Sequence, residues 1–330
     1  MNFSIIVATY NRSKFIESFL QQISRIKYTH GSWETIVVDN NSKDHTSHVI
    51  NNFIKKNPNI QIKYVFESVQ GRTRAFEKGL GVIQYSHVVS LDDDIEFNSD
   101  ILEKYYLAYK RWPNAAIIGG KIDVLLLNNK SSKFNSPYFV PPFRWLLGGL
   151  DLGNNPIQIK NEEVYCANMS FNLAYVRRPV YHPWLGKVIH NVYFCGDDAQ
   201  LCRKTILQRK SVYYDPNICV TNKIDKNRLS FSYFLKRYLS EGVSRKIIDN
   251  SLAKYRNHIK YRLIHSFKLI INSVRSYNVL IVILISFAEA VYWFGYNILS
   301  IYYVKESESP YYPGFFRAWR RHPHPPGRVE

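Results

Sequence analysis

The sequence predicts an α/β protein built on a doubly wound, mainly parallel sheet flanked by helices. Two observations lead there. Over the first 120 residues, short and nearly continuous apolar runs alternate with stretches of helical period. Runs of that kind mark strands covered on both faces. The runs also lead into polar turns: Thr9-Tyr10-Asn11-Arg12, Asp39-Asn40-Asn41-Ser42 and Asp92-Asp93-Asp94. In open α/β sheets ligands bind beyond the carboxyl ends of the strands, so the three turns are expected on one rim.

Phe3 to Ala8 is the first strand. Phe15, Ile16, Phe19, Leu20, Ile23 and Ile26 then recur at helical spacing, with Ser13 as the expected cap. Glu34 to Asp39 is the second strand, and Val49, Ile50, Phe53 and Ile54 mark the second helix. Ile60 to Phe66 alternates as a third strand. Phe76, Leu80 and Ile83 form a helical face before the apolar run that ends at Asp92. Ile101, Leu102, Tyr105, Tyr106 and Tyr109 predict a helix, and Ala115 to Gly120 a further strand. From Asn128 to Asn161 no period survives, and loops of that length are commonly functional. Order returns at Val164 to Leu173 and in a helix over Asp197 to Leu207.

The net charge of +18 is concentrated, since residues 203–275 hold 17 Lys/Arg against four Asp/Glu. Such a block suits a polyanionic partner. A stripe of Phe231, Phe234, Leu235, Tyr238, Leu239 and Val243 is flanked by Lys236, Arg237, Arg245 and Lys246, and a second stripe runs from Leu263 to Val274. Basic amphipathic helices of this kind can lie in a membrane interface. Tyr277 to Val304 is apolar and long enough to span a bilayer, but Glu289 at its centre would be costly there. The expected division is a catalytic domain over 1–225, with halves at 1–120 and 121–225, a helical membrane-associating region over 226–304, and a disordered tail over 305–330. Cys166, Cys195, Cys202 and Cys219 show no metal or disulfide spacing and read as reduced thiols. No signal peptide is read at the N-terminus, so the expected location is the cytoplasmic face of a membrane.

The acidic triplet carries the most chemical information. Adjacent carboxylates repel and resist desolvation, so a divalent cation or basic side chains must compensate them. Hard oxygen donors suit Mg or Mn, which commonly bridge phosphates. The alternative is a solvated loop leading into the helix after Asn98 and Ser99. Carboxylates at the strand ends would repel a polynucleotide, so nucleic acid is not the expected partner of the basic block.

The series Ser4 to Arg12, Ile36 to Asp44 and Asp92-Asp93-Asp94 resembles the family 2 glycosyltransferases, which are inverting, nucleotide-sugar-dependent enzymes of the GT-A fold. Gly71-Arg72-Thr73-Arg74-Ala75, Ala167-Asn168-Met169-Ser170-Phe171 and Gly196-Asp197-Asp198-Ala199-Gln200-Leu201 extend the likeness over roughly residues 3 to 245. The resemblance implies that Asp94 binds a divalent cation, Mn or Mg, with Asp92 or Asp93 in support or on the ribose. It places Asp39, Thr9 and Tyr10 at the nucleobase, Arg12 with them in the donor site, Arg72 and Arg74 beside the nucleotide, and Asn168 near donor or acceptor. It assigns Asp198, with Asp197, to the base that deprotonates an acceptor hydroxyl. The other reading of Asp39 is a residue that closes its own turn. One departure stands out: where relatives often carry a His, this chain has Asn222 followed by Lys223, which could meet pyrophosphate charge directly. The expected partners are a nucleotide-sugar donor, a glycan or lipid-linked acceptor, and an anionic membrane surface. Two other readings stay open, a sugar nucleotidyltransferase and a non-catalytic sugar- or membrane-binding protein. Ala8-Thr9-Tyr10-Asn11 lacks the glycines usual in the phosphate loop of the first.

Overall fold

The computed structural model describes residues 1–126, 144–182, 185–189, 192–224, 226–252 and 279–300. Strands and helices alternate through β1 (Phe3–Thr9), α1 (Ser13–Ile23), β2 (Trp33–Asp39), α2 (Thr46–Lys56), β3 (Ile62–Phe66), α3 (Arg72–Leu80) and β4 (His87–Leu91). The order β3-β2-β1-β4 is parallel throughout, as the doubly wound pattern requires. Ile5, Ile6, Val7, Ile36, Val37, Val38, Val88 and Val89 are fully buried, so these strands are covered on both faces. Ile16, Phe19, Leu20 and Ile23 seat α1 on the sheet from one stripe.

Next come β5 (Ile95–Phe97), α4 (Ile101–Arg111), β6 (Ala115–Leu126), β7 (Ile157–Ile159) and β8 (Asn168–Asn172). They are followed by β9 (Lys187–Ile189), β10 (Val192–Phe194), α5 (Asp197–Leu207) and β11 (Ser211–Ile224). β8 enters antiparallel between β4 and β6, and β11 extends the sheet parallel to β6. β5 and β7 are antiparallel partners of β11, while β9 and β10 form a separate hairpin. The sheet is parallel through β3-β2-β1-β4 and mixed beyond.

Several expected boundaries move. Arg12, not Ser13, stands at the cap position of α1, and the Ser13 amide donates to Asp44 over 3.1 Å. Ile83 lies past the end of α3. β6 runs on to Leu126 because β11 pairs with it along that whole stretch. Val164 to Ala167 precede β8 without joining it. Residues 128–143 of the unpatterned loop, the stripe from Leu263 to Val274 and the tail over 305–330 lie outside the described residues.

The C-terminal elements change most. Helix α6 (Phe231–Ser251) and helix α7 (Val279–Phe294) pack through Phe234, Tyr238, Ile285, Ala288, Tyr292 and Tyr296, with Leu146 beneath them. Leu185, Phe194, Ala199, Val243, Ile247 and Ile248 form a second cluster that joins α6 to α5. Two of the basic residues expected to flank a membrane face on α6 therefore turn inward. Arg245 pairs with Glu163 and Glu241, and the Arg237 guanidinium lies 5.7 Å from the centre of the Tyr193 ring. The helix crossing is close: a Cβ on Gly242 would stand 2.1 Å from the Tyr292 carbonyl oxygen, so no side chain fits there. Glu289 is buried, and no described helix is long and apolar enough to cross a membrane. Ile283, Phe287, Phe294 and Ile298 are each about half exposed, so α7 and the turn after it carry an outward apolar row.

Candidate active site

The turns after β1, β2 and β3 are tied together at one residue, Asn40. Its amide NH donates to the Thr9 carbonyl over 2.9 Å, and its side-chain NH2 donates to the Val69 carbonyl over 2.8 Å. Its side-chain oxygen accepts from the Gly71 amide over 2.8 Å. A second tie joins the first two turns, with the Lys43 amide donating to the Asn11 side chain over 2.7 Å and the Asn11 amide donating to Ser42 over 2.9 Å. Asn11 adopts φ +52°, a conformation asparagine tolerates better than most residues.

The acidic triplet sits on this scaffold with its charge met by arginines. The Thr9 hydroxyl donates to Asp93 over 2.7 Å, and Arg12 reaches Asp93 at 3.0 Å and Asp94 at 2.7 Å. Arg228, from the turn between β11 and α6, adds a contact to Asp94 at 3.2 Å. Asp93 and Asp94 are buried, whereas the Asp92 side chain is 39% exposed. Burial pushes the Asp93 carboxyl up to about 7, against the pull of Arg12 and the Thr9 hydroxyl.

Arg72 connects this triplet to the acidic pair. One of its terminal nitrogens lies 3.0 Å from Asp92 and the other 2.5 Å from Asp197. A planar guanidinium suits that fork. Asp197 and Asp198 open α5 directly after Gly196, whose φ of +80° makes the sharp entry that a residue with a side chain would resist. Asp197 is buried and Asp198 half-buried. Burial, then the neighbouring charges of Asp197 and Glu163, raise the Asp198 carboxyl above the ordinary carboxylate range. Such a group binds its proton more tightly than a free carboxylate and is a stronger base once ionised.

The remaining expected residues divide. Tyr10 stands at the end of β1, about half exposed beside the rim. Asp39 is buried, accepting from the Ser42 amide at 2.9 Å and from the Tyr64 hydroxyl at 3.0 Å, so it does close its own turn. Arg74 is partly buried on α3, with its Nε unpartnered among the described residues. Asn168 differs from expectation. It is fully buried, accepts from the Tyr105 hydroxyl at 2.8 Å, and donates to the Lys121 and Ile218 carbonyls at 2.9 and 3.0 Å. Its amide holds β8 to β6 and β11 and leaves nothing toward the rim. Asn222 donates to the Leu147 carbonyl over 3.1 Å, and Lys223 pairs with Glu96 rather than standing free for phosphate. Asn40, Arg228 and Glu163 were not singled out from sequence. Asn40 lies inside the motif after β2, but nothing local shows that one residue ties three turns together.

Residues 4–176, just over half of the chain, match the family described as Glycosyl transferase family 2. A glucosyl-dolichyl phosphate glucuronosyltransferase of Haloferax volcanii is 24% identical over 262 residues, covering 76% of this chain and 78% of its own. Glycosyltransferase GlyG of Streptococcus pneumoniae is 21% identical over 257 residues, covering 76% and 81%. Among solved structures, a mannosyltransferase from Pyrobaculum calidifontis, in complex with GDP-Man and Mn2+, shares the fold with a TM-score of 0.54 at 15% identity. It matches over 91% of this chain and 83% of that one. The parallel β3-β2-β1-β4 sheet, the acidic turn at its carboxyl edge and the family match agree: this chain belongs to glycosyl transferase family 2, a transferase of the GT-A fold.

Proposed function

We propose that this enzyme transfers a sugar, with inversion, from a nucleoside-diphosphate sugar to a hydroxyl of a lipid-linked or surface-polysaccharide precursor. The observation that carries this reading is the Arg72 bridge, which brings Asp92 of the triplet and Asp197 of the second acidic pair to one guanidinium. Groups that would handle a leaving diphosphate thus stand beside groups that would activate a nucleophile. Tyr10 and the turn of Asp39 would line the nucleoside, while Arg12, Arg72 and Arg74 would meet its phosphates. Asp198, the less buried carboxylate of the pair, would take the proton from the acceptor hydroxyl as it attacks the anomeric carbon opposite the leaving group. Asp197, held by Arg72, would fix the helix entry that aims Asp198.

A divalent cation suits the chemistry of the donor set. Asp92 and Asp94 offer hard carboxylate oxygens, and ions such as Mg or Mn are commonly held by one or two carboxylates plus phosphates and water. Among the described residues no cluster of three His, Cys, Asp or Glu side chains supplies a complete cage, so the ligands would include the donor itself. Bound there, the ion would supply Lewis-acid neutralisation of the departing diphosphate. Arg12 and Arg228 would still hold the triplet's geometry.

The test is a panel of nucleotide sugars incubated with the full-length protein, with and without Mn or Mg. Release of nucleoside diphosphate from one donor is expected, together with a rise in melting temperature on adding that diphosphate and Mn. DNA should give no comparable rise. No release from any donor, with no nucleotide-dependent stabilisation, would count against the reading.

The acceptor class is supported by relatives whose names specify dolichyl phosphate or poly-N-acetylglucosamine products. The outward row of Ile283, Phe287, Phe294 and Ile298, on a chain of net charge +18, supports association with an anionic membrane at its cytoplasmic face. Flotation with phosphatidylglycerol vesicles should carry the protein upward, and Phe287→Glu with Phe294→Glu should leave it at the bottom. A protein that ignores such vesicles would remove the membrane from the proposal.

A further inference from the structure

Behind α5 lies a set of buried charges that the transfer chemistry above does not use. Glu163, in the segment before β8, is held from two sides. Arg203 of α5 donates to it over 2.9 Å, and Arg245 of α6 grips both its oxygens, one of them over 2.7 Å. Arg245 also pairs with Glu241, one turn earlier on α6. Glu241 in turn accepts from the Cys195 thiol over 3.1 Å, and the Cys195 amide donates to Ser244 over 3.0 Å. Arg203 reaches on to Asp249 at 3.4 Å, and Asp249 accepts from Tyr296, on the turn after α7, at 2.9 Å.

The helix entry that carries Asp197 and Asp198 is therefore stitched to α6 twice, through Cys195 just before it and Arg203 two turns along it. Apolar packing already joins these helices, and buried ion groups of this kind add little net stability. Their position is more informative. Glu163, held at 2.9 Å by Arg203 of the helix that Asp197 and Asp198 open, adds its charge to those that act on Asp198. Asp197 and Cys202 on α5, Tyr165 and Cys166 beyond Glu163, and Arg72 of α3 also interact with the Asp198 charge. Burial alone would raise the Glu163 carboxyl, but Arg245 and Arg203 outweigh it and hold the group ionised.

We infer that Glu163 is a positioning residue for the transfer: fixed by Arg203 and Arg245, it ties the C-terminal helices to α5 and keeps a negative charge behind Asp198. This rests on the proposed role of Asp198 as the base. It also gives the helices after β11 a part in the chemistry, because their docking supplies the guanidinium that keeps Glu163 charged.

The experiment reads Asp198 directly and needs no substrate. Full-length protein labelled with 13C at the aspartate side-chain carboxyls is titrated by NMR, and the Asp198 resonance is assigned by its loss in Asp198→Asn. Glu163→Gln should lower the Asp198 midpoint by about one pH unit, and Glu163→Asp, which keeps the charge, should restore most of it. Asp249→Asn removes a charge from the far side of the same network and should move the midpoint far less. An unmoved midpoint in folded Glu163→Gln overturns the inference, and so does an equal shift in Asp249→Asn, which would mean general loosening. Should Glu163→Gln fail to fold, the double change with Arg245→Met removes the pair together, a replacement that proteins tolerate far better. A lowered midpoint is expected there too, and an unmoved one overturns the inference. If Glu163 shifts the resonance but Asp198→Asn leaves transfer intact, the base assignment fails while the electrostatic coupling stands.

Discussion

Asp198→Asn is expected to slow sugar transfer by about 10² to 10⁴-fold, the usual contribution of a positioned base. Nucleoside diphosphate affinity should change little, because among the described residues Asp198 makes no hydrogen bond or ion pair to the groups assigned to the donor and accepts instead from the adjacent Ala199 amide at 2.8 Å. Initial rates and calorimetric titration separate the two effects. The pH dependence has a definite sign. Burial, Asp197 and Glu163 raise the Asp198 carboxyl, so the inactive protonated form persists to higher pH than for an ordinary aspartate. Transfer should therefore rise with pH through a limb lying above the usual carboxylate range, and Asp198→Asn should abolish that limb. Equal loss of rate and nucleotide affinity would reassign Asp198 to binding or folding.

Arg72→Ala should be the most damaging single change outside the acidic residues. It strips the cation from between Asp92 and Asp197 and leaves the buried Asp197 without its ion-pair partner. Breaking a buried pair from one side costs about 3–5 kcal/mol, and the 21% exposure of Arg72 argues for the lower end. Chemical denaturation reads that loss. Donor affinity and turnover should fall together, since the same guanidinium holds both Asp92 and Asp197. Arg72→Lys should not rescue them, because an ammonium cannot fork between two carboxylates in fixed directions. Unchanged affinity and turnover in a folded Arg72→Ala would remove the bridge from the mechanism.

Much of this architecture was legible in the chain because burial on both faces leaves a plain record. Ile5-Ile6-Val7 and Ile36-Val37-Val38 can hardly be anything but covered strands, and α5 begins and ends where its pattern does. The rim residues Thr9, Arg12 and Asp92 to Asp94 were legible because strand ends are fixed once strands are. The misreadings share a cause. Asn168 looks like a site residue because a buried amide and a ligand-binding amide have the same sequence signature, and only its three partners distinguish them. Arg237 and Arg245 looked like a surface because charge on a helix is normally solvated. Their partners, Glu163 above all, lie far away in sequence, and no periodicity reports such a pairing. Arg228 was hidden in the same basic stretch, although it crosses to Asp94.

The knot at Asn40 bears on how a ligand would be received. With three turns fastened to one residue, the end of the rim where the proposed nucleoside would sit has little left to arrange when a guest arrives. Its shape was settled in the folding of the chain, so affinity there is not diluted by ordering loops. Recognition at that end should behave like a mould: each atom trimmed from the guest subtracts its own share, and adaptation is left to the other bank of the cleft.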